Sequence, residues 1–178
     1  MNVAIADPPY IDQAKRHYAD DPSGVEAREV DHAELLARLS RDYDAWALCL
    51  SSPSLRQILP LCPDDVRVGA WVKPFAFFKP NVNPGYAWEP VIFRGGRKLG
   101  REVDTVRDWV SANVTMQKGT HGAKPPAFCY WLFEFLGLEP ADTLHDLYPG
   151  SGAVTLAWEM WRNRAAVPVG LPLFRVEP

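Results

Sequence analysis

Residues 142–161 read DTLHDLYPGSGAVTLAWEMW. DTLHDLY (142–148) reads as a strand running into a Pro-Gly-Ser-Gly turn, and AVTLAWEMWRNR (153–164) as a helix leaving that turn. Glycines let the backbone turn tightly and approach a ligand, and the first turn of a helix presents free N–H groups. Strand, glycine turn and helix in that order make the arrangement of a nucleotide-type cofactor site in an open α/β sheet, where ligands bind beyond the carboxyl ends of the strands. Standing alone, the same pattern is equally a tight turn.

A second strand end stands at the start of the chain. Val3, Ala4, Ile5 and Ala6 form a short apolar run, and Asp7-Pro8-Pro9-Tyr10 follows directly. Each proline fixes its own φ and restricts the residue before it, so this is a stiff stop that aims Asp7 and Tyr10. Two such ends at the carboxyl tips of predicted strands would face one cleft.

Between them, strand and helix patterns alternate. DHAELLARLSRDY (residues 31–43) reads as a helix with Asp31 as N-cap, Glu34 as its capping-box partner and a stripe of Leu35, Leu36 and Leu39. DAWALCLSS (44–52), DVRVGAWVK (65–73) and AWEPVIFRGG (87–96) read as strands, and PSLRQILPLC (53–62) as a short helix. Arg97 to Ala123 is polar, weakly periodic and rich in positive charge. PPAFCYWLFEFLGL (125–138) is a helix apolar nearly all round, hence well buried. AAVPVGLPLF (165–174) reads as a last short strand. This alternation predicts an α/β domain with a largely parallel sheet.

With 178 residues the chain suits one domain with a sizeable core. Its formal net charge of −3 argues against tight, self-sufficient nucleic-acid binding, which leaves a basic footprint, without excluding a local basic groove. No apolar run is long enough to span a membrane and no signal peptide is legible, so the expected location is the cytoplasm. Cys49, Cys62 and Cys129 have neither zinc-ligand nor redox-motif spacing and read as core thiols. His17, His32, His121 and His145 lack metal-ligand spacing too, and no metal is expected.

Taken together, the two turns resemble something more specific. Asp7-Pro8-Pro9-Tyr10 matches the (Asp/Asn/Ser)-Pro-Pro-(Tyr/Phe/Trp) motif of the beta-class amino-methyltransferases, which move a methyl group from S-adenosylmethionine to an exocyclic amine in DNA. Asp146, Leu147, Tyr148, Pro149, Gly150, Ser151 and Gly152 resemble the family's Asp-Pro-Phe-x-Gly-Ser-Gly motif, and Lys124-Pro125 its Lys-Pro before the preceding helix. WVKPFAFFKPNVNPGYAWEPVIFRGGR (71–97) is similar to its Trp-x-Lys stretch, irregular loop and Trp-x-Glu lead into an antiparallel strand. The catalytic motif comes first and the cofactor glycines last, the permuted order of that class.

The resemblance implies a Rossmann-like methyltransferase sheet, mostly parallel with an antiparallel strand near the edge. It divides residues 1–178 into a catalytic half (1–96), a short recognition segment (97–123) and a cofactor half (124–178). It implies an adenine-N6 DNA methyltransferase, Asp being the residue that favours adenine. Asp7 and the Pro8 carbonyl would accept the two N–H bonds of the amine, Pro9 would stiffen the loop, and Tyr10 would stack on the flipped base. S-adenosylmethionine would lie against Asp7, Lys124, Asp146, Tyr148, Pro149, Gly150, Ser151 and Gly152. Lys73, Arg94, Arg97, Lys98, Arg101 and Arg107 would meet phosphates of the DNA.

Each residue also has a plainer reading: Asp7 as a turn cap, Tyr10 as a core aromatic, Lys124 as a solvated lysine. Trp88 and Glu89 read as structural, with Trp88 packing the sheet, and Trp71, Trp131, Trp158 and Trp161 as core. The chain departs from the family where its second cofactor strand should end in an acid that binds the ribose: Gly170, Leu171 and Pro172 stand there, with Glu177 a few residues late. It also stops before the family's third cofactor strand. That implies a truncated cofactor half whose sheet edge either is covered by a second copy or a protein partner or is left open. The competing expectation is a non-catalytic relative that binds nucleic acid or a protein partner, and a further one is methylation of RNA or a small amine.

Overall fold

Alternation along the first strand sets the layers. A computed structural model describes residues 1–11, 30–75, 82–114 and 123–164. In β1 (Asn2–Ala6), Val3 and Ile5 face one hydrophobic cluster while Ala4 and Ala6 face another, and all four are fully buried. A strand buried on both faces must lie inside a sheet covered on both sides.

β1 pairs in parallel with β2 (Ala45–Cys49), Val3 opposite Ala45, and with β6 (Thr143–Asp146), Val3 opposite Leu144. The six-stranded order is β5-β3-β4-β2-β1-β6. β4 (Trp88–Gly95) runs antiparallel to both its neighbours, β2 and β3 (Arg67–Val72), so the antiparallel strand is third from one edge. That edge is β5 (Trp109–Ser111), a three-residue strand parallel to β3 inside the polar segment, where the sequence shows no strand. The antiparallel turn-back gives the site its third wall: β4 begins where β1, β2 and β3 end.

Helix α1 (His32–Asp42) covers one face, burying Leu35, Leu36 and Leu39 with Trp46, Leu48 and Ile92. Asp31 caps it as expected, its Oδ1 accepting from the N–H groups of Ala33 and Glu34 at 3.0 Å each; such a cap contributes about 1 kcal/mol. The one-turn helix α2 (Leu55–Ile58) is flanked by 3-10 turns. On the other face lies α3 (Pro126–Phe135), held between the sheet and α4 (Ala153–Arg164). Its Phe133 packs edge-on against Trp158 and Trp161, with ring centroids 5.3 and 5.8 Å away. Trp131 and Trp158 are core residues, as expected, and Trp161 packs against the same cluster. Trp88 differs: at the start of β4 it is 39% exposed and does not pack into the sheet. Cys49 and Cys129 are buried thiols. The expected C-terminal strand, with Gly170, Leu171, Pro172 and Glu177, lies outside the described residues, as do His17 and His121. Among the described residues no helix is long and apolar enough to cross a membrane.

Candidate active site

At the carboxyl end of β1 the backbone passes into Pro8 and Pro9, both buried, which leave Asp7 and Tyr10 partly buried at the sheet's rim. Asp7 does not cap a turn. Its Oδ1 and Oδ2 lie 2.9 and 2.7 Å from Lys124 Nζ, so one ammonium engages both carboxylate oxygens. Lys124 is delivered by the extended Pro125 that precedes α3 and is only 8% exposed, far from a solvated lysine. Burial alone would lower its pKa, but Asp7 and the other groups around it outweigh burial and raise it well above the ordinary lysine value. The ammonium is therefore kept.

Two aromatic faces complete the surroundings of that cation. Lys124 Nζ lies 5.8 Å from the Tyr10 ring centroid and 5.7 Å from that of Trp71, within the range of a cation–π attraction. Trp71 is buried and donates from its indole N–H to the Ala112 carbonyl at 2.8 Å. Tyr10 donates its hydroxyl to Glu89 Oε2 at 2.7 Å. Burial pushes the Tyr10 phenol well above its usual value although Lys124 pulls the other way, so it stays a neutral donor. The other Glu89 oxygen is paired with Lys73, whose Nζ also stands 4.8 Å from the Trp71 ring centroid. Glu89 follows the inward alternation of Val91 and Phe93 on β4. A carboxylate at such a position needs partners, and that inward phase is the signal that sets Glu89 apart from a solvated acid. Beneath Asp7 and Glu89, burial raises the Cys49 thiol strongly, so it remains un-ionised.

The glycine turn lies on the neighbouring strand. Ile5 of β1 is opposite Asp146 of β6, and the Leu147 N–H donates to the Ile5 carbonyl at 3.0 Å, so the two turns leave the sheet side by side. Gly150 and Gly152 have φ of +46° and +74°, conformations that side chains with a Cβ rarely adopt. A Cβ at Gly152 would meet no described heavy atom within 4 Å, so the turn opens onto free space. Leu156 N–H donates to the Gly152 carbonyl at 2.9 Å and starts α4. Asp146 Oδ2 accepts from Thr155 Oγ at 3.0 Å, while its Oδ1 is buried with no partner among the described residues. Burial raises the Asp146 carboxyl, with Thr155 acting against it. An orphaned acceptor beside a turn with open space fits a polar ligand. Tyr148 is half-buried, and Pro149 and Ser151 are exposed around the same turn.

The expected phosphate contacts separate. Lys73 stands at the site but is engaged by Glu89. Arg94 and Arg97 lie at the opposite end of the sheet, since Gly95 is paired with Ala45 at the start of β2. Arg94 pairs with Asp65 at 2.7 Å. Arg97 binds both Asp142 oxygens, at 3.0 and 3.2 Å, and pairs with Glu139 at 3.3 Å. Arg97 thereby ties the end of β4 to the start of β6. Lys98 and Arg101 are exposed on the chain beyond it, and Arg107 lies over the Trp109 ring at 5.5 Å. A cavity of about 300 Å³ lies elsewhere, along β6 and α4 between Asp142, Thr143, Thr155 and Trp158, and does not reach Asp7.

No protein-family model matches the chain, and no curated protein matches it. Solved structures do. The M1.HpyAVI–SAM complex aligns over 90% of this chain and 78% of that one, with a TM-score of 0.60 at 15% identity. A second structure of M1.HpyAVI aligns over 90% and 77%, with a TM-score of 0.58 at 15% identity. At that identity the likeness is one of fold: this chain is a Rossmann-like α/β protein built as those structures are.

Proposed function

We propose that the chain is an S-adenosylmethionine-dependent methyltransferase acting on the exocyclic amine of a nucleic-acid base, with adenine N6 in DNA as its target. One observation carries the reading: the Asp-Pro-Pro-Tyr end and the glycine turn leave adjacent parallel strands, Ile5 opposite Asp146, so an amine held by the first would lie beside a cofactor held by the second. The bound SAM in a fold neighbour supports the choice of cofactor.

S-adenosylmethionine supplies a methyl group on a sulfonium, open to attack by a lone pair. The residues of this chain prepare that lone pair. An exocyclic amine is a poor nucleophile because its lone pair is delocalised into the ring. Asp7 and the Pro8 carbonyl accept its two N–H bonds, which localises the lone pair toward the methyl. Lys124 takes one direction of each Asp7 oxygen; a carboxylate oxygen has two lone pairs, so acceptor capacity remains. The Tyr10 ring offers the base a flat face. Gly150 and Gly152 leave room for the methionine part of the cofactor, and Asp146 Oδ1 is an acceptor for it. Lys98 and Arg101 remain as phosphate contacts.

A second reading has its own observation. With both Asp7 oxygens held by Lys124, the site is also satisfied without a substrate, as in a non-catalytic relative that binds nucleic acid or a protein partner. Calorimetric titration with S-adenosylmethionine, followed by transfer of a tritiated methyl group to adenine-containing DNA, separates the two. Saturable binding with transfer is the expected result. A folded protein that takes up no cofactor would establish the second reading.

A further inference from the structure

A tyrosine beyond the end of a strand turns about two side-chain bonds, and where its ring lies is defined by what holds it. Tyr10 is held at its hydroxyl by Glu89 Oε2, 2.7 Å away, with Lys124 Nζ 5.8 Å from its ring centroid. Glu89 in turn is fixed by its place in β4 opposite Trp71 and by Lys73 on its second oxygen. Both members of that ion pair are about one-sixth exposed, at 17% for Glu89 and 16% for Lys73. Desolvating an acid on an inward strand position is costly and persists where both oxygens are satisfied. Nothing about the sheet's own packing requires this acid, since Val91 and Phe93 fill the same face with apolar side chains.

We infer that Glu89, anchored by Lys73, is a positioning residue that fixes where the Tyr10 ring lies for the base. The inference rests on the reading of Tyr10 as the stacking surface of a methyltransferase. Because the hydroxyl hydrogen is committed to Glu89, Tyr10 presents its face rather than a donor to the base. Glu89 thereby favours a flat aromatic amine over a flexible aliphatic one. A ring held in one place acts on positioning in the reacting complex, so its loss lowers turnover more than it lowers cofactor affinity.

The test is a double-mutant cycle on the full chain: Glu89→Ala, Tyr10→Phe and the pair combined, with Glu89→Gln as the conservative variant. Each single change is expected to lower kcat with adenine-containing DNA by roughly tenfold, leaving S-adenosylmethionine affinity within about twofold. The double variant should be no slower than Tyr10→Phe, and Glu89→Gln, which keeps an acceptor and the side-chain shape, should recover most of the loss. Additive losses, or a Glu89→Gln enzyme as slow as Glu89→Ala, overturn the inference while leaving the function standing. Should Glu89→Ala fail to fold, Tyr10→Phe decides alone: a Tyr10→Phe enzyme with wild-type kcat overturns the inference. A wild-type chain that neither binds the cofactor nor transfers methyl overturns the proposed function, and this inference with it.

Discussion

The carboxyl ends of β1 and β6 are neighbours, yet they are finished differently. At β1 each polar side chain has its complement: Asp7 with Lys124, and Tyr10 with Glu89, which is itself paired with Lys73. At β6 the backbone turns through two glycines into open space, and Asp146 keeps a buried oxygen unpartnered among the described residues. One end is paired within the protein; the other keeps an unpaired acceptor among the described residues. On the proposed function the contrast follows from the chemistry of each end: groups that orient a reacting amine are useful only if already fixed, whereas a turn that receives a large cofactor leaves space for it.

The largest expected effect lies at the paired end. Asp7→Ala should slow methyl transfer by on the order of 10²–10³, the scale of losing one pre-aligned hydrogen-bonding group, with cofactor affinity nearly unchanged. Tritiated-methyl incorporation beside calorimetry reads both quantities. Wild-type turnover in this variant would break the comparison, because Asp7 would then be a structural counter-ion to Lys124 alone.

A change at neither end supplies the control. Burial would raise the Asp142 carboxyl, yet hydrogen bonds from Arg97, the Met1 amino group and the Glu139 N–H hold it well below the usual carboxylate range. Asp142→Ala should cost roughly 3 kcal/mol in urea unfolding at pH 7, the scale of charge-assisted bonds lost around a buried ion. Since the folded state holds this pKa down, the contribution is complete above the unfolded value of about 4 and fades as pH falls through the folded one. The gap between wild type and variant should therefore shrink in acid. A gap that grows there would mean Asp142 is not the ionised partner of Arg97.

At the open end, Gly152→Val should weaken cofactor binding by at least about tenfold, or 1.4 kcal/mol. The added side chain would enter the space beside the turn and carry the strain of φ +74°. Unchanged affinity would show that the turn is only a turn. The smallest effect belongs to Arg94→Ala. Its pair with Asp65 is exposed, so stability should move by less than about 1 kcal/mol. From the far end of the sheet it should leave the salt dependence of DNA binding as it was, whereas loss of a phosphate contact lowers that slope by about 1.

Local features of this molecule were legible in the sequence. The apolar run before Asp7, the Asp31 cap and the strand–glycine–helix run each depend on neighbours within a few residues, and each appears in the structure. What escaped the sequence depends on distant partners. β5 has three residues and owes its existence to β3, so no period marks it. Lys124 and Asp7 are 117 residues apart, and Arg97 lies 45 from Asp142; side-chain type alone cannot tell a lysine held by a carboxylate from one in water, or a phosphate-binding arginine from a structural one. Glu89 lay between these cases. Its partners Tyr10 and Lys73 are far away in sequence, but its inward phase on β4 could have been read from the Val91–Phe93 alternation.

The four charged side chains around Tyr10 have one more consequence. Two ammonium groups, on Lys73 and Lys124, stand against two carboxylates, on Asp7 and Glu89, within one rim of the sheet. Their fields cancel beyond a short distance, so these four groups together neither attract nor repel a charged visitor from afar. Encounter with the site is then unsteered, closer to the 10⁵–10⁶ M⁻¹s⁻¹ of a neutral pair than to the far faster, salt-sensitive capture of a charged funnel. If the proposed function holds, what draws nucleic acid to this protein lies outside the rim, and turnover inside it should respond little to ionic strength.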